Sequence, residues 1–432
     1  MRSTFKKIVA TILRFEARLL LSKYRPRVVA ITGSVGKTST KDAVFEVVAA
    51  SAHARKSEKS FNSEIGLPLT ILGQPNAWSN PLRWAETLVD GLMLYASRHP
   101  YPEWLVLEVG ADRPGDIRSL AKWLRVDVAV ITRLPEVPVH VEFFDSAEAV
   151  LEEKASLINA LKQDGALVLY ADDKKVAALR ERAPHAHSIT FGFSEGADVR
   201  AHGVEIIFTD NKPAGIRAHV KAQGDSGILE VKGTIGAHAL MPALAAVAVG
   251  KALGKPLPEI LEALKGYVPP PGRMHLIEGE KDTIIIDDTY NSSPAATHAA
   301  LEALALVSPA QTGRRIAVLG DMLELGRHSV EEHRKVGAVV VGKADILMTV
   351  GFRARDIAQG ALDNGLSDGN IFQYEDAARA GRELEAMLKE GDVVLVKGSQ
   401  SMRMERIVEE VMQDPSHADD LLVRQDAEWR KR

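Results

Sequence analysis

Residues 28–40 read Val-Val-Ala-Ile-Thr-Gly-Ser-Val-Gly-Lys-Thr-Ser-Thr. Four apolar, β-prone residues run into a glycine-rich turn, and Lys41 to Val48 continue with apolar residues at helical spacing. A strand, a turn and a helix in this order form the context in which a Gly-Lys-Thr sequence cradles phosphate. The glycines let backbone N–H groups converge, and the helix N-terminus adds partial positive charge. Lys37 can then reach β- and γ-phosphates, while the Thr38 hydroxyl can ligate Mg²⁺. Ile31 stands where the eight-residue form of the motif has its first glycine, so the chain carries the shorter G-x-x-G-K-T.

Outward from this loop, apolar runs alternate with helical patterns. Trp104–Gly110, Val126–Thr132 and Gly165–Tyr170 read as buried strands, with a helix from Ser146 to Leu161 before the third. Such alternation predicts a largely parallel sheet with its ligand crevice at the carboxyl ends of the strands. That puts Thr32, Glu108 and the loop after Thr132 on one edge. From Val199 to Ile235 short alternating strands predict an antiparallel patch, followed by a small-residue helix from Ala239 to Leu253. Val268-Pro-Pro-Pro-Gly-Arg273 marks the clearest boundary. Beyond it, strands at Thr283–Ile286, Arg315–Leu319, Ile346–Val350 and Asp392–Val396 alternate with helices around 295–306, 329–342 and 375–389. The expected architecture is therefore α/β. Residues 28–270 form a central P-loop domain with a mostly parallel sheet and a small antiparallel patch. Residues 271–432 form a Rossmann-like α/β domain ending in a charged peripheral helix or tail.

Composition narrows the possibilities. The 432 residues include 46% hydrophobic and 26% charged, a globular profile with room for two or three domains. A net charge of −4 gives no bulk attraction to nucleic acid, and the lack of cysteine excludes disulfides and thiolate sites. No apolar run approaches the roughly 18 residues of a spanning helix. Residues 1–27 predict a basic amphipathic helix, with Phe5, Ile8, Val9, Ile12, Leu13, Leu19 and Leu20 opposed to Lys6, Lys7, Arg14, Arg18, Lys23, Arg25 and Arg27. Two readings fit it: a contact with an anionic membrane surface, or an extra helix packed on the following domain.

Near the loop, Glu108 at a strand end can give Mg²⁺ an oxygen ligand, and His140 follows a strand. Lys154 lies within an otherwise ordinary helix. Taken together, GSVGKTS, FNSEIGLPLT, LEVGADRPGDI, His140 with Lys154, PPGR, IDDTYNSSP, VLGDMLELG and VLVKGS occur in one order from about Val28 to Val411. In this the chain resembles the Mur ligases. GDMLELG and DDTYNSSP are more specific to the branch that adds D-alanyl-D-alanine than to folylpolyglutamate-type ligases.

The resemblance implies an ATP-dependent, ADP-forming amide ligase of peptidoglycan precursor synthesis, with cell-wall biogenesis, cell shape and cell division as its setting. It implies that Gly33, Ser34, Val35, Gly36, Lys37, Thr38, Ser39 and Asn62 meet the nucleotide from the central domain. Arg273 and Asp288 would meet it from the C-terminal domain. Thr38 and Glu108 would hold a first Mg²⁺ and His140 a second, with Lys154 carbamylated to supply anionic oxygens. Asn291, Asp321, Glu324, Lys397 and Ser399 would face the acid and amine substrates. The expected enzyme is a cytoplasmic monomer, at the inner-membrane surface if residues 1–27 contact lipid.

Three departures accompany the resemblance. Only the basic helix precedes the P-loop, so a counterpart of the family's N-terminal UDP-binding domain is not expected. Ala239 and Pro242 replace the usual asparagines, and Arg133-Leu-Pro-Glu-Val-Pro-Val-His140 replaces the usual Asn-x-x-x-Ala-His. The alternatives are a poly-γ-glutamate or folylpolyglutamate-type ligase acting on another acid, and a non-catalytic subunit that keeps the fold.

Overall fold

The computed structural model describes residues 3–58, 61–78, 80–309 and 312–430. Its first sheet has nine strands: β1 (Arg27–Thr32), β2 (Ala54–Lys56), β3 (Trp104–Glu108), β4 (Val126–Ile131), β5 (Leu161–Tyr170), β6 (His187–Gly192), β7 (Val199–Thr209), β8 (Lys212–Ala222) and β9 (Asp225–Lys232). They lie in the order β2-β3-β1-β4-β5-β6-β7-β8-β9. Strands β2 through β6 are parallel, and β7 joins β6 in parallel before the sheet turns antiparallel through β8 and β9. The antiparallel patch expected from the sequence is thus the flank of the same sheet. The strands β1, β3 and β4 are almost wholly buried, as continuous Val/Ile/Leu runs require when helices cover both faces. The helix Met241–Ala252 is so rich in alanine and valine that it lies buried along most of its length against the sheet and the P-loop helix.

The second sheet has six strands: β10 (His275–Glu278), β11 (Ile284–Asp288), β12 (Arg315–Gly320), β13 (Ile346–Val350), β14 (Ile371–Tyr374) and β15 (Val393–Lys397). The order is β10-β11-β15-β12-β13-β14, parallel apart from the edge strand β10. Separate apolar cores flank its two faces. The proline-rich segment before it carries no regular structure from 268 to 271.

The C-terminal tail departs from expectation. Arg424 is buried, with Nη2 2.9 Å from Glu405 Oε2 and donating to the Thr289 carbonyl (2.6 Å), while Nη1 donates to the Tyr290 carbonyl (3.0 Å). A charged residue is stable there because a buried carboxylate and two carbonyls satisfy its fork. The tail therefore clamps the turn after β11 instead of projecting into solvent.

Helix α1 (Ser3–Tyr24) packs on the central domain through Val9, Ala10, Leu13, Ala17 and Leu20, which join its core. It lies beside α4 (Pro81–Ala96), where Glu16 meets Gly91. Glu16 is buried with no hydrogen-bond partner among the described residues, and desolvation pushes its carboxyl up to about 7. A folded-state value above that of the unfolded chain stabilises the fold below about pH 4.5, and this contribution disappears as pH rises through about 7. Glu16→Gln should therefore raise the melting temperature at pH 8, with the gain vanishing near pH 5. Equal gains at both pH values would contradict a charge-burial origin.

Candidate active site

The P-loop is fixed by its neighbours. After β1, Gly33 adopts φ +143°, and a Cβ there would lie 2.0 Å from Thr132 Oγ1. Gly36 adopts φ +83° and immediately precedes helix α2 (Lys37–Ala49). Both are conformations that side chains resist. Ser34 N and Val35 N donate to the Arg133 carbonyl (3.0 and 3.3 Å), and Thr132 Oγ1 donates to Val35 O (2.7 Å). The end of β4 thus holds the loop open. Lys37 and Thr38 occupy the first turn of α2, where free N–H groups and the helix dipole favour an anion.

Thr38 is the centre of a short chain of hydrogen bonds. Its hydroxyl donates to Glu108 Oε2 (2.8 Å) and accepts from Arg273 Nη2 (2.9 Å), while Asn62 Nδ2 donates to Glu108 Oε1 (3.0 Å). Arg273 arrives from the second domain with its guanidinium 4.0 Å from the centre of the Tyr290 ring, a cation–π contact that holds it in place. A second bridge across the cleft joins His140 Nδ1 to Glu324 Oε2 at 2.7 Å. The bond to His140 holds the Glu324 carboxyl below its ordinary range.

Between these bridges lies a cavity of about 630 Å³. Ser34, Val35, Gly36, Lys37, Thr38, Ser39, Asn62, Glu108, His140, Arg273, Asp288, Asn291, Glu324 and Lys397 all line it. Lys397 Nζ is 2.6 Å from Asp288 Oδ2 and donates to Asn291 O (2.9 Å), so three residues read separately in the sequence form one group, with Lys397 and Asp288 buried and Asn291 half-buried. Asp321 and Ser399 are not among the lining residues. Asp321 Oδ1 accepts from Ala354 N (2.7 Å) and Ser399 Oγ from Leu323 N (2.8 Å), so they support the loop that presents Glu324. Sequence reasoning passed over Tyr290, Asp112 and His238, which also line the cavity. Tyr290 lies within a quoted motif, but a lone loop aromatic has no periodicity to mark it. Burial, with Lys397 and Arg133 nearby, lowers His238 to about 4, so its imidazole is neutral at pH 7.

Lys154 lies outside the cavity lining and behind the loop. It sits in α6 (Ala147–Ala155), fully buried, with Nζ donating to Gly33 O at 2.8 Å. Its helix neighbours do not neutralise it: Glu148 pairs with Lys175 and Glu152 with Arg182. Glu153 instead caps α5 (Asp116–Ala121). It accepts from Gly115 N (2.9 Å), Ile117 N (2.7 Å), Arg118 N (3.0 Å) and Arg118 Nε (3.0 Å). Burial first, and then the Lys37 charge, push the Lys154 amine well below its ordinary value. Burial lowers Lys37 as well, while Glu108 opposes the shift.

For a metal ion, Thr38 and Glu108 fit a Mg²⁺ site. They are two adjoining buried oxygen donors, and Mg²⁺ beside a nucleotide takes few protein ligands, the rest being phosphates and water. A second site is not formed by side chains as they stand. No group of three or more His, Asp or Glu residues suited to a metal occurs among the described residues, and His140 is engaged by Glu324.

A phosphate loop at the edge of a parallel sheet, closed by an arginine from a second α/β domain, has the form of a two-domain nucleotide-binding protein. Comparison with known families makes this specific. Residues 90–250 match the Mur ligase middle domain and residues 272–400 the Mur ligase glutamate ligase domain. The chain belongs to the Mur ligase family. It is 30% identical to UDP-N-acetylmuramoyl-tripeptide–D-alanyl-D-alanine ligase of Bacillus subtilis over 406 residues, covering 94% of this chain and 80% of the relative. Among solved structures it resembles the MurF ligase of Thermotoga maritima in complex with ADP. That similarity has a TM-score of 0.75 and 28% identity, covering 93% of this chain and 83% of that one. A MurF structure from Acinetobacter baumannii, 23% identical with a TM-score of 0.76 over 93% and 80% of the chains, shares the fold.

Proposed function

We propose that this protein is an ATP-dependent, ADP-forming amide ligase that joins D-alanyl-D-alanine to the carboxylate of a peptidoglycan precursor. The observation that carries this reading is the Arg273–Thr38–Glu108 chain, which brings both domains onto the phosphate cradle. Lys37 and the first turn of α2 would hold the γ-phosphate, and Arg273 would balance charge as a carboxylate oxygen attacks it, giving an acyl phosphate and ADP. The amine then attacks the acyl carbon. A C–N bond forms, the C–O bond to phosphate breaks, and the amine loses a proton. Mg²⁺ held by Thr38 and Glu108 would supply further neutralisation of phosphate charge. The protein's work is positioning and preorganised electrostatics, and the cross-domain bridges exclude water from the acyl phosphate.

Lys154 is proposed to act as a carbamate. Its lowered affinity for protons favours the neutral amine, the form that adds CO₂ with loss of a proton. The product is an anionic oxygen donor beside the P-loop. A bulky acid would enter through an adjoining cavity of about 920 Å³, which shares Thr38, Arg273 and Tyr290 with the first and adds Phe61, Trp78 and Trp84.

The test is ADP release across a panel of acceptor acids with D-alanyl-D-alanine as amine. The expected result is turnover that requires both a muramoyl-peptide acid and the dipeptide. Turnover with a glutamate-type acceptor alone would favour a poly-γ-glutamate or folylpolyglutamate activity. No turnover with any acid would favour a non-catalytic subunit.

A further inference from the structure

The inner side of α1 is accounted for by packing, but its outer side is not. Phe5, Ile8, Ile12 and Phe15 recur at i, i+3, i+7 and i+10 and stay between 37% and 57% exposed. On α4, Leu82, Val89, Leu92 and Met93 repeat the pattern at 49% to 76% exposure. The helices run side by side in the same direction. Glu16 meets Gly91 at the seam, and Lys23 Nζ donates to Leu94 O (3.2 Å) and Tyr95 O (2.7 Å) at their C-terminal ends. Both stripes therefore lie outside the seam. Exposed apolar patches of this kind mark interaction sites.

Charge indicates what covers it. The only acid on α1 is Glu16, which is buried, while exposed Lys7 and Arg18, with half-buried Arg14 between them, form a line beside the apolar stripe with no ion-pair partner among the described residues. On α4, Arg83 stands against Glu86 and Asp90, so the cationic excess belongs to α1 in a chain whose net charge is −4. No helix among the described residues is long and apolar enough to cross a bilayer. An apolar face flanked by cations, on a helix anchored to a folded domain, suits a bilayer interface: rings and aliphatic chains enter the acyl boundary while cations rise to anionic headgroups.

We infer that the outer face of the α1–α4 pair docks flat on an anionic lipid bilayer. The inference rests on this surface alone and stands whichever acid the enzyme uses. The full chain should co-sediment with vesicles of equal parts phosphatidylglycerol and phosphatidylcholine, bind phosphatidylcholine alone far less, and dissociate as salt rises. Arg14→Gln with Arg18→Gln should weaken binding more than about tenfold, at roughly fivefold per cation. Ile8→Ser with Phe15→Ser should abolish it even at low salt, with an unchanged thermal melt showing that the exposed substitutions leave the fold intact. Failure to bind the anionic vesicles would overturn the inference, as would binding indifferent to salt and to both variants. Self-association that disappears in Ile8→Ser/Phe15→Ser would assign the face to a second copy of the chain and overturn it equally.

Discussion

Replacing Lys37 with alanine is expected to lower ADP release by at least about a hundredfold, the scale on which a single preorganised electrostatic contact acts in a transition state. Lys37 begins α2 beside the cleft, and it shares the field of Glu108 and Arg273 without forming part of an apolar core. Its loss should leave the thermal melt nearly unchanged. Lys37→Arg should recover little, because a planar fork cannot replace a compact ammonium inside a cradle bounded by the Gly33–Gly36 backbone. Undiminished ligation by folded Lys37→Ala protein would remove the phosphate-cradle assignment.

Lys154→Ala is expected to lose most activity and to regain part of it when short-chain carboxylic acids are added. A free ammonium about 4 Å from a divalent ion would be repelled by roughly 4 kcal/mol per unit charge at an effective dielectric near 20, whereas a carbamate reverses the sign. The surroundings sharpen the test. Removing a buried side chain that bonds Gly33 O also leaves that carbonyl unpaired, at a cost of about 1–3 kcal/mol. Loss of activity alone would therefore not separate a ligand from a strut, but rescue by an added carboxylate would. Lys154→Arg keeps the charge and the helix propensity and should not be rescued. Full activity in that variant would exclude the carbamate.

How far the sequence could be read depended on burial. Strands covered on both faces appear as unbroken apolar runs, so β1, β3, β4, β12, β13 and β15 were legible within a residue or two. Short elements with a wet side were not. The edge strands β10 and β14 are four residues each, and the amphipathic helices Arg355–Asp363 and Glu405–Val411 are short and rich in charge. The tail appeared solvated because Arg424 and Glu405 satisfy each other only after folding. In the site, the loop motif located Lys37 and Thr38 from local order alone. Resemblance supplied Asp288 and Lys397 as single residues, and only the sheet register β11–β15, which sets them opposite each other, makes them a pair. Asp321 and Ser399 showed the converse, since motif membership did not separate a residue in the cleft from one that braces it.

The adjacency of Glu153 and Lys154 sets the length of its segment. One carboxylate is committed to α5, and the next side chain must reach Gly33 O. Inserting or deleting a single residue between the Ser146 cap and this pair would rotate the end of α6 by about 100°. An insertion would bring the Glu153 carboxylate to face the phosphate loop, whereas a deletion would turn the Lys154 amine toward α5 and leave Ala155 at the loop. The stretch from 146 to 154 thus works as a ruler, and homologous chains that share this geometry should tolerate substitutions along its outer face but no change in its length.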